Sequence, residues 1–216
     1  MKKKIAVVLA GCGVYDGAEI HEAVFTLLAI ARHGAVSQCF APDIKQHHVV
    51  NHLTGEVVPE TRNVLVEAAR IARGKIKPLS QLDAAAFDAV IFPGGFGVAK
   101  NLCTFAFDGA DCQVNPEVEQ TIRTAVKAGK PVGALCISPV LLAKVLEGVE
   151  VTIGNDAGTA AALRQMGARH TETSHGEVVI DRKFKAVTTP CYMLDASIDQ
   201  IADGADAVVR ALLDLM

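Results

Sequence analysis

Short apolar runs alternate with segments of helical periodicity along this chain, and that alternation restricts the fold more than any other feature. Lys4 to Ala10 is apolar without a two-residue alternation, as expected of a strand covered on both faces. Ile20, Ala23, Val24, Leu27, Leu28 and Ala31 then recur at helical spacing, and Gly34 ends the helix. Ala35 to Ala41, Asp88 to Phe92 and Val132 to Leu135 read as further buried strands. Asn115-Pro116-Glu117 starts a helix, because Asn offers a side-chain acceptor to orphan amides and Pro is tolerated at the first helical position. Beyond it the pattern predicts a helix from Pro139 to Gly148, a strand at Val151 to Ile153 and a helix from Asp156 to Gly167. A hairpin over Glu177 to Thr189 and a closing helix from Ile198 to Leu215 follow. The stretch 44–80 is least regular: a hairpin turning at Thr54-Gly55, then a helix over Arg62 to Arg73. Strands alternating with helices imply a parallel sheet joined by crossover helices, an α/β fold. Without repeats or linkers, residues 1–216 are expected to form one domain.

Composition excludes several function classes. Lys and Arg number 21 against 24 Asp and Glu, a net charge of −3, which leaves no basic excess for displacing counterions from nucleic acid. No apolar run approaches the ~20 residues of a membrane span. The apolar stretch Ile5 to Ala10 is too short for a signal-peptide core of roughly 7–15 residues. The six cysteines, at 12, 39, 103, 112, 136 and 191, include no Cys-x-x-Cys pair and no zinc-finger spacing. A cytoplasmic protein with reduced thiols, no metal and no cofactor is therefore expected. His47, His48 and His52 lie without a convincing carboxylate or cysteine partner and read as a solvated hairpin face.

Three strand ends carry residues with chemical potential: Gly11-Cys12-Gly13 with Asp16-Gly17-Ala18-Glu19, then Pro93-Gly94-Gly95, then Cys136. In a parallel sheet all three meet at one edge. Cys136 in KPVGALCISPVLL sits at a strand–turn–helix junction, the geometry of a nucleophile elbow, although most cysteines serve as small buried hydrophobes. The amides opening the next helix would favour a thiolate and a developing oxyanion. Beside such a nucleophile the Gly94 and Gly95 amides would form an oxyanion hole; alone they are simply a tight turn. Glu19 lies on the flank of the apolar stripe of the first helix, where partial burial would keep its carboxyl protonated and hydrogen-bonded to a thiolate, while Glu22 points away. Acidic residues also belong in a first helical turn simply because of the dipole. Gly11-x-Gly13-x-x-x-Gly17 is one residue too long for a dinucleotide fingerprint. Cys12 has the position of a possible resolving thiol.

The whole chain resembles the ThiJ/PfpI superfamily and, within it, the ElbB-type glyoxalases, also described as isoprenoid-biosynthesis or sigma cross-reacting proteins. The resemblance rests on AGCGVYDGAEIHEA (10–23), CFAPD (39–43), NHLTGE (51–56), ETRNVLVEAARIARG (60–74), FPGGFGVAKNL (92–102), CISP (136–139), TIGND (152–156) and VTTPCYML (187–194). It implies a flavodoxin-like, class I glutamine amidotransferase-like three-layer sandwich. The family nucleophile is similar to Cys136, its helix-borne acid resembles Glu19, and Gly94 and Gly95 with the Ile137 amide resemble the oxyanion site. Related amidotransferases place a histidine directly after the cysteine, where this chain has Ile137, and other relatives place one near Asn155 or Asp156. This departure argues against glutaminase or peptidase chemistry.

The resemblance implies a lyase-class, glutathione-independent glyoxalase, acting on a small dicarbonyl such as glyoxal through a Cys136 hemithioacetal. It also implies a homodimer. The alternative is a redox-responsive regulatory or binding protein built on an oxidisable Cys136. Magnitudes limit what a thiolate alone can supply. Lowering a thiol pKa by ~3 units from about 8.5 raises the thiolate fraction roughly 30-fold. Nucleophilicity falls by about 20–30-fold in return, so acceleration must come from positioning, proton transfer and oxyanion stabilisation.

Overall fold

The computed structural model describes residues 2–216. The chain runs β1 (Lys4–Val8), α1 (Ile20–Arg32), β2 (Val36–Ala41), α2 (Val64–Ile71), β3 (Ile76–Pro78), β4 (Ala89–Phe92), α3 (Phe105–Asp108), α4 (Pro116–Lys127) and β5 (Val132–Leu135). It continues with α5 (Pro139–Val145), β6 (Glu150–Val151), α6 (Ala157–Gln165), β7 (Arg169–His170), β8 (Val179–Asp181), β9 (Ala186–Thr189) and α7 (Ile198–Asp214). Seven strands form one sheet in the order β3-β2-β1-β4-β5-β9-β8, parallel except where β8 meets β9. β6 and β7 pair apart from it. This is the parallel α/β sheet expected from the alternation, in the flavodoxin-like sandwich that the resemblance implies.

Strand pleating distributes the core between two faces. Ile5, Val7 and Leu9 pack with α1, α2 and α7, whereas Ala6, Val8 and Ala10 pack with α4, α5 and α6. Each fully buried Ile, Leu or Val side chain contributes roughly 1.5–3 kcal/mol of transfer free energy, which makes β1 the keel of both layers. From β1 the chain steps outward to β2 and β3, then returns to the other side of β1 as β4. That reversal opens a crevice beyond the carboxyl ends of β1 and β4. The loops after β1, β4 and β5 all border it.

Local differences have physical causes. β3 is not anticipated: it is three residues long, ends in Pro78 and lies at the sheet edge, the position where proline is tolerated. The hairpin at 48–58 consists of one bridge, Val50 to Val57, closed by Gly55 N–H donating to the Asn51 carbonyl at 2.8 Å. The strand expected at Val151 to Ile153 is Glu150–Val151, paired with β7.

The largest departure is the face of α1. Its buried residues are Glu22, Ala23, Thr26, Ala29 and Ile30, while Ile20, Val24 and Leu28 are 43%, 42% and 40% exposed. The helix is apolar almost all round, so periodicity alone selects the wrong stripe. The buried side is set by the small residues Ala23, Thr26 and Ala29, which let the helix approach the sheet and α7 closely.

Candidate active site

Cys136 occupies the turn between β5 and α5 with φ of +59°, a left-handed conformation that costs a non-glycine residue roughly 1–2 kcal/mol. The surrounding backbone holds it there. Its amide donates to the Thr189 carbonyl at 3.0 Å, the Ser138 amide donates to Leu135 at 2.9 Å, and the Ser138 hydroxyl donates to the Pro93 carbonyl at 2.9 Å. The elbow is thus tied to β9 and to the loop after β4. Cys136 forms part of the wall of a cavity of about 370 Å³ with Val14, Gly95, Phe96, Tyr192 and Met193. Wider clefts along α4, of about 650 and 760 Å³, are lined by no cysteine or histidine.

The carboxylate facing this thiol is Glu22. It is completely buried and hydrogen-bonds the Cys136 side chain. Its Oε2 accepts the Gly94 amide at 2.9 Å and its Oε1 accepts the Tyr192 amide at 3.3 Å. The expectation that Glu19 fills this place and Glu22 points away is therefore corrected. The residues lie three apart, Glu19 capping α1 and Glu22 in its first turn, and a modest rotation of the buried stripe decides which of these neighbours faces the thiol. Glu19 is instead the N-cap: its Oε2 accepts the Glu22 amide at 2.7 Å, and its carboxyl borders the cavity.

Gly94 also has a different part from the one expected. Its amide anchors Glu22 and so is not free to face an oxyanion. The donors directed at Cys136 Sγ are the backbone amides of Gly95 and Ile137. A Cβ at Gly94 would lie 2.6 Å from Glu22 Oε2 and 3.0 Å from Cys136 Sγ, so glycine is required here by close approach. At Gly95, φ of +101° requires it by conformation. Gly94→Ala is expected to destabilise the fold by ~1–3 kcal/mol through overpacking, checked by denaturant melts, and to separate the thiol from the carboxyl.

Electrostatics run opposite to the expected thiolate. Burial, reinforced by the charge on Glu22, pushes the Cys136 thiol well above its ordinary range, and the two amides offset only part of this. Glu22 is itself pushed up to about 8 by burial and then by the neighbouring Glu19, against the pull of its amide donors. Near neutral pH the pair is thus mostly protonated, with Glu22 the group that gives up its proton first.

Two further residues matter here, Tyr192 in the wall and His21 behind it. Tyr192, on the turn after β9, borders the cavity, and its hydroxyl lies 2.8 Å from His21 Nδ1. Burial and the charge of Glu19 push its phenol upward. His21 Nδ1 is 4.0 Å from Glu19 Oε1, so a chain of polar groups runs from the helix cap to the cavity. Periodicity gives no warning of His21 or Tyr192; their only sequence signal is their place in AEIHEA and CYML, beside strand ends. No histidine is among the residues lining the cavity. Cys12 sits among Glu67, Arg70 and Asp16 rather than opposite Cys136. His47 and His52 are exposed, and among the described residues no cluster of three His, Cys, Asp or Glu could hold a metal ion.

The profile of the DJ-1/PfpI family matches residues 13–198. The chain belongs to this family. Among curated relatives, the human glutamine amidotransferase-like class 1 domain-containing protein 3, mitochondrial, is 53% identical over 98% of this chain and 83% of its own length. A crystal structure of an isoprenoid biosynthesis protein with amidotransferase-like domain from Ehrlichia chaffeensis is 38% identical, with a TM-score of 0.92 over 99% of both chains. The glyoxalase III of Candida albicans shares the fold, with a TM-score of 0.62 at 16% identity over 97% of each chain. The expected cytoplasmic placement is overturned: the human protein, a rat ES1 protein homolog at 51% identity and a zebrafish ES1 protein at 38% are all named mitochondrial.

Proposed function

We propose that the protein is a glyoxalase that converts glyoxal, or a similarly small 2-oxoaldehyde, to the corresponding 2-hydroxy acid without glutathione. The observation that carries this reading is a buried carboxyl of raised pKa against a strained, cavity-lining thiol, with two amides aimed at the sulfur. The fold-level likeness to a glyoxalase III adds to it. The cavity of about 370 Å³ suits a small substrate. A cavity lining without histidine suits an internal redox shift better than amide hydrolysis.

In this mechanism ionised Glu22 takes the thiol proton as Cys136 Sγ attacks one carbonyl carbon, giving a hemithioacetal. The Gly95 and Ile137 amides steady the sulfur and then the oxyanion on the adjacent carbon. Glu22 hands the thiol proton to the oxyanion, then takes the proton from the sulfur-bearing carbon to give an enediol and delivers it to the neighbouring carbon. As the enediol hydroxyl beside sulfur gives up its proton to become the carbonyl, a thioester of the hydroxy acid remains. Tyr192, steadied by His21, faces the second carbonyl. Water cleaves the thioester and frees Cys136. The net change is one dicarbonyl plus one water to one hydroxy acid, so electrons balance within the substrate.

A base near pH 8 gives the test a sign. At pH 7 only about a tenth of Glu22 is ionised, so turnover should rise about tenfold, reaching half its maximum near pH 8 and a plateau a unit or more above that. The assay follows glycolate formation from glyoxal, with methylglyoxal alongside, in chelator-treated, thiol-free buffer. Failure to convert either compound overturns the reading. A regulatory role through Cys136 oxidation is less well supported, because a thiol raised by burial is a poor target for peroxide.

A further inference from the structure

We propose that Cys103 and Cys112 form a second reactive thiol pair, converted by hydroperoxides to a disulfide at the base of the loop that walls the Cys136 cavity. Cys103 lies opposite Val114 in an antiparallel bridge, extended by Thr104 N–H donating to Gln113 O at 3.0 Å and Asn115 N–H donating to Leu102 O at 2.8 Å. The Cys103 and Cys112 side chains lie close enough to interact directly, and the Cys103 thiol donates to the Val98 carbonyl at 3.4 Å. Diagonal neighbours across such a bridge can close to a disulfide's ~2.05 Å when a local shift brings their sulfurs together. Both residues are nearly inaccessible overall, but Cys112 lines a separate surface cavity of about 340 Å³ with Gln113, Glu119 and Lys144. That cavity is an entry for a molecule as small as hydrogen peroxide.

The two sulfurs are not equivalent. Interaction with Cys103, helped by the Lys144 ammonium, holds the Cys112 thiol below its ordinary value. The same interaction, with burial, pushes Cys103 up. Cys112, which alone of the two lines the surface cavity, is therefore the attacking thiolate and Cys103 the resolving thiol. Cys112 sulfur bonds the terminal peroxide oxygen as the O–O bond breaks, and the departing alkoxide or hydroxide takes a proton to leave as alcohol or water. Cys103 sulfur then displaces hydroxide from the Cys112 sulfenic acid, and its proton leaves with that hydroxide as water. Two thiols are oxidised to one disulfide while one hydroperoxide is reduced.

The segment closed by this bond is 104–111, which carries α3. Its Phe105 and Ala106 line the cavity beside Cys136, and Lys144 Nζ donates to the Ala110 carbonyl at 2.9 Å. The pair therefore sits where oxidation would clamp one wall of the cavity.

The folded protein is exposed to excess hydrogen peroxide, quenched with catalase, denatured in N-ethylmaleimide and digested with trypsin. Lys100 and Arg123 bound one peptide, 101–123, that contains Cys103 and Cys112 and no other cysteine. The expected result is loss of two hydrogens from this peptide with no maleimide uptake, reversed by dithiothreitol. Further cleavage before Asp108 should leave the two pieces joined. In Cys103→Ser, Cys112 should instead be trapped by dimedone as sulfenic acid. Uptake of two maleimides after peroxide, or oxygen addition without a joined pair, overturns the proposal. Cys136 falls in a different tryptic peptide, so neither outcome depends on the glyoxalase reading.

Discussion

Cys136→Ala is expected to lower glyoxal consumption by on the order of 10⁴-fold or more, to the buffer background, while the protein stays folded. The loss follows from the proposed bond between sulfur and substrate carbon, since alanine offers no atom to form it and no neighbouring thiol replaces it. Cys191, also buried, is pushed well above the ordinary thiol range by burial and by the charges of Glu22, Cys136 and Glu19, so it is a poor nucleophile. Cys12 lies among the charges of the α2 region. The fold survives because the elbow depends on backbone bonds, Cys136 N–H to Thr189 and the Ser138 hydroxyl to Pro93, that alanine retains. Circular dichroism should superimpose on the wild type. Turnover equal to that of the wild type would place the reaction elsewhere.

The sheet was legible because its strands are short, buried on both faces and separated by capped helices. Asn115-Pro116 marks the start of α4, Asp156 the start of α6, and the 177–189 hairpin closes the sheet as β8 and β9. The elbow was legible for the same reason: a run of buried residues ending at Cys136 and followed by Pro139 leaves little room for anything but a sharp turn. The orientation of α1 was not. A helix with apolar residues on every side gives no periodic signal strong enough to choose a face, and the choice was made by small residues meeting the sheet and α7. That one rotation decides which glutamate meets the thiol. The thiol's protonation was illegible for a different reason: helix-start amides and burial act in opposite directions, and burial wins at a site sealed by Glu22, Gly94 and Tyr192.

Glu22→Gln separates the chemical role of this carboxyl from its structural cost, because the two effects have opposite signs. Glutamine has no basic carboxylate, so turnover should fall by ~10²–10⁴-fold, and the rise in rate towards pH 8 should disappear. Stability should change the other way. In the unfolded chain the carboxyl titrates near 4.5, whereas in the folded protein it titrates near 8. Protonated Glu22 therefore favours the fold: its contribution is fully present below pH 4.5 and is lost as pH rises through 8. Glutamine does not ionise and escapes that loss. The variant's stability relative to wild type should therefore climb between pH 4.5 and 8, by at most about 5 kcal/mol, since each pKa unit corresponds to 1.36 kcal/mol. Denaturant melts at pH 5 and pH 8.5 measure the change in that difference. It excludes any constant cost from an amide NH₂ facing Gly94 or Tyr192. A glutamine variant that keeps wild-type turnover would remove Glu22 from the reaction. A stability difference that stays flat with pH would show that the carboxyl does not titrate in the buried setting on which its role as base depends.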